Sequence, residues 1–184
     1  MKKILIIFVC LLMSAFLKAE DGSQLWLRYK TLPDSVARKY TQQLRFLAFN
    51  ADNPMLMVIK KELDLAFSGL FGNNLAEAKK TQFGTIVIGT SRDKAVSDLI
   101  SAELLKSCGE EGCILKNIET KDGKVLVLAA REDAGLLYGS FELFRLIQQG
   151  KPIDNLNLTE KPSYQRRILN HWDNLNGTVE RGYA

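Results

Sequence analysis

The chain has 184 residues, of which 46% are hydrophobic and 25% charged, as in an ordinary globular protein. These proportions exclude a disordered or collagen-like chain, and the length allows one or two domains. The formal charge is +4, but three lysines lie within residues 1–19, and without them 22 basic groups face 21 acidic groups, which leaves +1. A chain this close to neutral lacks the basic surface that binds phosphate backbones, so we do not expect nucleic acid as a partner.

Residues 1–19 have the layout of a secretory signal peptide. Lys2 and Lys3 precede an apolar run from Ile4 to Phe16, and Ala19 stands before a polar stretch. The run is shorter than the roughly 20 residues that a membrane-spanning helix needs. We therefore expect cleavage near Ala19, a secreted or periplasmic protein and no stable membrane span after cleavage; an uncleaved anchor is the alternative.

The cysteines add a second expectation. Cys10 lies inside the apolar run and not beside a cleavage site, which argues against lipid attachment. Cys108 and Cys113 flank Gly-Glu-Glu-Gly, and in an oxidising compartment they can pair. We expect a disulfide between them, with two free buried thiols as the alternative. A metal site is not expected because no histidine or second cysteine pair accompanies them, and a redox-active pair usually has two intervening residues.

The first half of the mature chain predicts a short strand and two helices. Trp26–Tyr29 is the strand candidate. After Pro33, apolar residues at spacings of three and four predict an amphipathic helix over Val36–Ala48. A second helix is predicted from Met55 to Phe71, where glycine and asparagine residues end it.

The second half predicts two strand regions and two helices. Gly84–Gly89 is apolar and rich in β-branched residues, which favours a buried strand. Ser91 is expected to cap a single helix that extends to Leu104. Asp122-Gly123 separates two strand-like runs, which favours a β-hairpin. A last helix is predicted over 131–147.

This order of elements predicts an α/β domain over residues 20–150, in which a sheet is packed against helices in an α+β sandwich-like arrangement. Residues 151–163 carry Pro152 and Pro162 among polar residues and are interpreted as a linker. Residues 164–184 then begin a second unit.

The tail contains one more strand candidate, Arg166–Asn170, followed at once by polar and aromatic residues from His171 to Gly177. A single strand with its loop cannot close a hydrophobic core. Polar and aromatic groups just past the carboxyl end of a strand are typical of the ligand-binding face of a TIM (β/α)8 barrel. The tail is therefore interpreted as the incomplete start of such a barrel.

Arg167–Ala184 resembles the opening of the catalytic barrel of family 67 glycoside hydrolases, which are α-glucuronidases. Asp21–Tyr29 and Asp133–Gly139 are similar to the start and the last helix of the N-terminal domain of that family. Similar small domains precede the barrels of other exo-glycosidases, including β-hexosaminidases, so the tail decides the family.

The resemblance implies an inverting exo-hydrolase that removes glucuronic acid, or its 4-O-methyl form, from xylo-oligosaccharides derived from glucuronoxylan, without a metal or other cofactor. It also allows a homodimer of the full-length enzyme. In the family, the acid and base come from later barrel strands, and no carboxylate here matches them. We therefore interpret the chain as truncated and expect it to be inactive alone. The alternatives are a non-catalytic carbohydrate-associated helper domain and the N-terminal domain of a hexosaminidase-like exo-glycosidase.

The resemblance implies four substrate-binding residues, Trp172, Asn174, Glu180 and Arg181. The tryptophan would stack on a sugar, the asparagine and glutamate would bond hydroxyl groups, and the arginine would hold a carboxylate. Their structural alternatives are a core tryptophan, a turn residue and an ion pair. Asp173 has the same alternatives as the asparagine beside it.

Other polar residues are not expected in a site. His171 is the only histidine, and because no serine or cysteine nucleophile stands beside it, a packed or hydrogen-bonded role is expected. The carboxylate pairs Glu110-Glu111 and Glu132-Asp133 are attributed to a solvated loop and to a helix N-terminus, respectively.

Overall fold

A computed structural model of the protein describes residues 28–164 and 166–168. It confirms the predicted α/β class, a sheet with packed helices. In chain order the elements are α1 (Asp34–Thr41), β1 (Phe46–Phe49), α2 (Pro54–Phe71), β2 (Ala76–Glu77), β3 (Thr85–Thr90), α3 (Lys94–Ser97), α4 (Ala102–Ser107), β4 (Cys113–Thr120), β5 (Gly123–Ala130), α5 (Asp133–Gln148) and β6 (Asn157–Glu160).

The six strands form one mixed sheet in the order β2–β1–β3–β5–β4–β6. Strands β2, β1, β3 and β5 run parallel, whereas β4 is antiparallel to both β5 and β6. All six residues of β3 are buried. A strand covered on both faces is typical of the parallel part of an α/β sheet, so helices must lie on both sides.

Alternate residues of the central strands enter two separate hydrophobic clusters. On the first face, Ile86 and Ile88 of β3 join the buried side chains of α1, α2 and α5. On the second face, Val87 of β3 packs with Val96, Ile100 and other buried residues around the short helices α3 and α4. The period of two along a strand therefore divides the core between a first face with long helices and a second face with short ones.

The predicted long helices, the buried strand and the hairpin are confirmed. Helix α2 begins after Asn53, whose side chain accepts a hydrogen bond from Leu56 N at 3.0 Å, and it ends at Gly72 with φ +79°. In the hairpin, Thr120 pairs with Gly123, which adopts φ +114°. The turn therefore uses the conformational freedom that the Asp-Gly step offers.

The helix predicted over 36–48 is wrong in its second half, because α1 ends at Thr41 and residues 46–49 form β1. Leu47 lies opposite Ile86 in the parallel pairing with β3, and Arg45 N donates to Gly84 O at 2.8 Å. Leu44 and Leu47 are buried at helical spacing from Tyr40, but they reach the same core from a turn and a strand. The buried side chains therefore follow a helical spacing although they do not belong to one helix, because tertiary packing brings each of them into the core.

The single helix predicted from Ser91 to Leu104 is also wrong, because α3 and α4 are separate. The second of them starts anew at Ser101, whose hydroxyl accepts a hydrogen bond from Leu104 N at 3.3 Å. Asp93, not Ser91, stands at the start of α3. A serine in the middle of an apolar pattern can cap a new helix, and here it divides the predicted one.

The interpretation of residues 151–163 as a linker outside the core is wrong as well. They include β6, which pairs with β4 from Lys116 opposite Asn157 to Cys113 opposite Glu160. Ile153 is buried in the first-face cluster. Edge strands are short and polar in many sheets, so this one carries little sequence signal. In the predicted strand at 26–29, Arg28 and Tyr29 have no regular structure, and residues 26 and 27 lie outside the described part.

Candidate functional site

The four predicted substrate-binding residues, Trp172, Asn174, Glu180 and Arg181, lie outside the described residues, as do His171 and Asp173. The structure therefore leaves their roles as predictions. It does describe residues 161–164 and 166–168, which lead from the last strand of the sheet toward them. We call residues 161–168 the exit segment.

Helix α5 lies unusually close to the sheet, and this closeness shapes the surface beneath the exit segment. A Cβ atom at Gly135 would overlap the Gly112 carbonyl oxygen and lie 2.8 Å from Ala130 Cβ. A Cβ atom at Gly139 would overlap the Leu128 side chain and lie 2.9 Å from Cys113 Cβ. Glycine at both positions therefore lets the helix backbone rest directly on β4 and β5.

Tyr138 lies between these two glycines in the sequence, with 45% of its surface exposed. The Arg167 guanidinium carbon lies 5.3 Å from the centroid of its ring. This distance is that of a cation–π interaction, which contributes about 0.5–1 kcal/mol at an exposed site. The helix thus presents an aromatic platform to the exit segment.

Arg167 is held from a second side by Glu111, with 2.5 Å between Nη2 and Oε2. Its interaction with the Tyr138 side chain, and after it the charge of Glu111, raises the pKa of Arg167. The guanidinium therefore stays charged in this contact. We call Tyr138, Glu111 and Arg167 the exit clamp. Glu111 lies in a partly exposed loop, as expected, and it also pairs with Arg167 across 56 positions of sequence.

Two cavities share Glu111, Lys161 and Pro162 as a common wall. The first, of about 310 Å³, is also lined by Glu142 and Glu160. The second, of about 510 Å³, is also lined by residues that include Cys108, Glu110, Arg131 and Tyr164. The exit segment is therefore bordered by open volume on two sides, which leaves room for further chain to pack against this end of the domain.

Two carboxylates at or beside the clamp are engaged in structural ion pairs. Glu142 accepts a hydrogen bond from Arg145 Nε at 2.6 Å. Glu111 holds Arg167, as described above. Both carboxylates are thus engaged by arginine side chains. The arrangement anchors the chain, and it does not form an acid–base pair.

A second polar cluster lies where β1, β3 and β5 end. This edge of an α/β sheet is where ligands bind in many such folds. Here Asp133 pairs with Arg92 and accepts a hydrogen bond from Asn53 Nδ2 at 3.0 Å. Asp93 Oδ2 accepts from Thr90 N at 2.7 Å. The polar groups satisfy one another, and the expected role of Asp133 at a helix N-terminus is confirmed because it begins α5.

Cys108 and Cys113 are both free and buried, so the predicted disulfide is not formed and the alternative is correct. The physical reason is their orientation, since Cys113 packs in the first-face cluster and Cys108 in the second-face cluster. Burial raises the pKa of both thiols, that of Cys113 to about 12. Both are therefore protonated, unreactive core residues at neutral pH.

Within residues 28–164 and 166–168, no group of three or more histidine, cysteine, aspartate or glutamate side chains is placed to hold a metal ion. The same residues include no helix both long and apolar enough to cross a membrane.

Together, the fold and the exit clamp define an α/β domain that holds the exit segment, from which the chain continues to residue 184. The sequence matches the description "Glycosyl hydrolase family 67 N-terminus" over residues 25–143, and "Glycosyl hydrolase family 67 middle domain" over residues 146–184. The chain therefore belongs to glycosyl hydrolase family 67. This confirms the resemblance and decides against a hexosaminidase-like relative.

Several relatives carry the name alpha-glucuronidase. The alpha-glucuronidase of Hypocrea jecorina is 30% identical over 181 residues, which cover 90% of this chain and 20% of that protein. The probable alpha-glucuronidase A of Aspergillus terreus is 26% identical over 189 residues, which cover 100% of this chain and 22% of that protein. This chain thus spans about a fifth of the length of these relatives.

A solved structure of a family 115 4-O-methyl-α-glucuronidase with specificity for decorated arabinogalactans aligns with 65% of this chain and 17% of its own, at 20% identity and a TM-score of 0.44. A likeness this low carries no argument about this chain.

The two matched segments meet inside one helix. The first ends at residue 143 and the second begins at residue 146, whereas α5 continues from Asp133 to Gln148. The first residues of the second segment supply β6 and the buried Ile147 and Ile153. The sheet therefore needs residues from both segments to be complete.

Proposed function

We propose that this chain is the N-terminal part of an α-glucuronidase that removes glucuronic acid, or its 4-O-methyl form, from xylo-oligosaccharides with inversion. The match to family 67 over nearly the whole chain carries the proposal. The names of the relatives supply the activity, and glucuronoxylan-derived oligosaccharides are the substrate class that this activity requires.

In this proposal the domain fixes where the catalytic barrel begins. Within the exit clamp, Arg167 is held by Glu111 and Tyr138, and it precedes Trp172 by five positions in the sequence. The described residues 166–168 of the strand predicted over 166–170 have no regular structure. If the barrel strand begins just after them, the following side chains would lie at its carboxyl end, where barrels bind their ligands. The clamp therefore limits how far the start of the strand can shift relative to the domain.

The four tail residues would then contact the substrate. Trp172 offers a ring that stacks on a sugar face and an indole N–H that donates to a hydroxyl group. Asn174 and Glu180 bond hydroxyl groups, and Arg181 holds the glucuronate carboxylate in a charge-assisted pair. Each role needs the side chain at the mouth of the barrel and not in its interior.

The chemical step needs two further carboxyl groups, one to protonate the leaving oxygen and one to activate water, about 6.5–9.5 Å apart. The carboxylates at the exit clamp and at the sheet edge are held in ion pairs, and we assign none of them to the reaction. We expect the 184-residue chain by itself to release no glucuronic acid. The acid and base would come from a barrel of which residues 164–184 form the start.

We also propose that residues 1–19 direct export and are removed near Ala19, which places the protein in the periplasm or outside the cell. Two lysines followed by a short apolar run support this. Mass spectrometry of protein recovered from the exported fraction tests it, and the expected mass begins at residue 20. Recovery of the intact chain with Met1 in that fraction would contradict cleavage.

A chimera tests the enzymatic proposal, because the Hypocrea jecorina relative aligns with 90% of this chain. In the chimera, residues 20–184 replace the aligned part of that relative. We expect it to release glucuronic acid from a decorated xylo-oligosaccharide, with the inverted anomer seen by NMR. Trp172→Ala and Glu180→Gln should each lower kcat/KM at least about tenfold, which corresponds to about 1.4 kcal/mol.

The matched control in the chimera is Arg166→Ala, since Arg166 is an exposed neighbour of Arg167 outside the clamp. It should leave kcat/KM unchanged, whereas Arg167→Ala should lower it. A chimera that folds and keeps full turnover with both Trp172→Ala and Glu180→Gln would contradict the assigned substrate contacts.

A further inference from the structure

A third cavity, of about 480 Å³, lies where β1 and β2 begin, and it shares no residue with the two cavities at the exit clamp. It is lined by Phe46 of β1, Glu77 of β2, and Lys79, Lys80 and Gln82 from the loop that leads to β3. We call it the β1–β2 cavity. Its volume is within the range of about 300–1,000 Å³ that is typical of small-molecule sites. It lies at the amino-terminal end of the parallel strands, whereas the exit clamp lies at their carboxyl end.

Phe46 gives the cavity an aromatic surface. It lies opposite Thr85 in the parallel pairing with β3, two residues before the register of Val87, so its side chain is on the second face of the sheet. The ring is partly buried, but it belongs to neither hydrophobic cluster. The core therefore does not depend on this ring, and its apolar surface contributes to the cavity.

Arg45 holds a positive charge beside this ring. Its guanidinium carbon lies 5.5 Å from the centroid of the Phe46 ring. Its stem packs on Gly84, which has a φ of +80°, and a Cβ atom at that glycine would lie 3.1 Å from Arg45 Cδ. The backbone of Arg45 bonds Gly84 on one side and Ala76 on the other. The position of this cation is therefore set by the sheet.

The lysines of the cavity carry charge that no carboxylate neutralises. Lys79 and Lys80 are exposed, and within the part of the chain that the structure describes neither they nor Arg45 form an ion pair. Glu77 is the one carboxylate among the lining residues. Two lysines against one glutamate leave a positive charge, and Arg45 adds to it. Such a concave, positively charged surface concentrates anions.

Gln82 adds a polar group whose backbone is fixed. Gln82 N donates to Thr85 Oγ1 at 3.2 Å, and Gln82 O accepts from Thr85 N at 3.0 Å. Among the described residues its side-chain amide has no hydrogen-bond partner. An amide both donates and accepts, and hydroxyl groups require both. The cavity thus combines unpaired cations, an apolar ring and a free amide.

An acidic sugar has a group for each of these features. Its carboxylate would pair with the lysine ammonium groups, and its hydroxyl groups would bond Gln82 and Glu77. The C–H face of the sugar ring would pack on Phe46. Inorganic phosphate would use the cations alone, and a neutral sugar would leave them unpaired.

We propose that the β1–β2 cavity is an accessory carbohydrate site that binds the uronic acid group of an oligosaccharide. The class of sugar follows from the side chains of the cavity, whereas the choice of glucuronic acid on a xylo-oligosaccharide rests on the proposed function. The site is separate from the tail residues Trp172, Asn174, Glu180 and Arg181, so one acidic polysaccharide could contact the protein at two places.

NMR of the ¹⁵N-labelled chain tests the site residue by residue. A xylo-oligosaccharide that carries glucuronic acid should shift the amides of residues 45, 46 and 77–82. The methyl ester of the same sugar, which lacks the charge, should shift them much less. Shifts confined to residues 169–184, or equal affinity for the ester, would overturn the proposal. Because we expect the chain alone to release no glucuronic acid, the ligand stays intact during the titration.

Three substitutions in the cavity test the assigned contacts. Lys79→Gln and Lys80→Gln should each weaken binding, followed at the same amides, by roughly three- to tenfold. Phe46→Leu keeps an apolar side chain but removes the aromatic ring, and it should weaken binding several-fold. The amide spectra should show that each variant is folded. Unchanged affinity in both lysine variants would overturn the site even if Phe46→Leu were unfolded.

Lys61→Gln is the matched control. Lys61 is exposed on α2, which packs on the first face of the sheet, and within the described residues it also forms no ion pair. The substitution removes the same charge away from the cavity and should leave the affinity unchanged. Equal weakening by Lys61→Gln would mean that the ligand responds only to net charge, and would overturn the site. An inactive chimera with intact binding here would contradict the enzymatic proposal alone, whereas an active chimera without this binding would contradict the site alone.

Discussion

The two faces of the sheet are covered in different ways. On the first face, the long helices α2 and α5 pack Phe67, Phe144 and many aliphatic side chains against the strands. On the second face, only the short helices α3 and α4 cover the strands, and within the described residues that cluster contains no aromatic ring. The exit clamp is carried by α5, on the first face.

This difference indicates that the two faces contribute unequally to the stability of the domain. A large and closely packed face resists local opening, whereas a face covered by two short helices opens at lower free energy. The segment that leads to the following domain is attached to the more stable of the two. We therefore expect changes on the first face to disturb the whole fold and changes on the second face to have smaller, more local effects.

The largest effect is expected from Phe67→Ala, which removes a fully buried ring from the first face. The free energy of unfolding should fall by about 3–5 kcal/mol, because the surrounding helices cannot close the cavity that the ring leaves. Leu105→Ala on the second face should cost about 2–3 kcal/mol, since a six-residue helix can move inward. Urea unfolding measures both values, and a larger loss for Leu105→Ala would reverse the comparison.

Alkaline pH should weaken the first face through Cys113. Burial raises the pKa of this thiol to about 12 from an ordinary value near 9, so the folded state holds its proton more tightly than the unfolded chain does. Stability is then complete below pH 9 and falls by roughly 2–4 kcal/mol as pH rises toward 12. Urea unfolding midpoints measured between pH 8 and pH 11 give the slope of stability against pH.

The control for this slope is Cys113→Ala, which removes the titrating group. Its stability should fall less steeply above pH 9, with a residual slope from Cys108 and Tyr29, because burial raises the pKa of both of these groups as well. Identical slopes in the parent and in Cys113→Ala would show that the thiol makes no contribution to alkaline unfolding.

The close approach of α5 can be tested at its two glycines. Gly135→Ala should cost about 2–3 kcal/mol, because the new methyl group would meet the backbone carbonyl of Gly112, which cannot rotate away. Gly139→Ala should cost less, since its nearest neighbour is the end of the Leu128 side chain. Thermal unfolding of both variants ranks them, and the opposite order would mean that β4 adjusts more easily than the side chain.

The smallest effect on stability is expected from Arg167→Ala. The pair with Glu111 is exposed, so its loss should cost less than about 1 kcal/mol. Hydrogen exchange of the amides in residues 161–168 should nevertheless become faster, because the exit segment loses its clamp. Arg166→Ala should leave that exchange unchanged. Equal exchange in both variants would mean that the clamp does not restrain the segment.

Sequence periodicity predicts those elements whose local pattern and tertiary role agree. Helices α2 and α5 and the hairpin at Gly123 belong to this group. Strand β1 was missed because Leu47 follows the helical spacing of α1, although its partner is Ile86 in another strand. Strand β6 was missed because its four residues are polar and gain their order from pairing with β4.

The site was predictable only in part, for a related reason. Tyr138 and the glycines on either side belong to a recognisable local motif, but nothing near Glu111 in the sequence points to Arg167. Their contact exists because the turn before β4 and the exit from β6 meet at the same end of the sheet. Contacts of this kind depend on topology, which a local pattern does not encode. The roles of Trp172 and its neighbours stay predictions.

The position of β6 has a consequence for where this chain can be cut. This strand occupies the hydrogen-bonding edge of β4 from Cys113 to Lys116, a stretch that is largely apolar. Removing residues after Gly150 would leave that edge unpaired, and an open apolar edge is a template for strands of other molecules. Such a shortened protein would be prone to aggregation through intermolecular β-sheet, whereas one that retains Lys161 would keep the edge capped. The short polar strand thus protects solubility as well as completing the sheet.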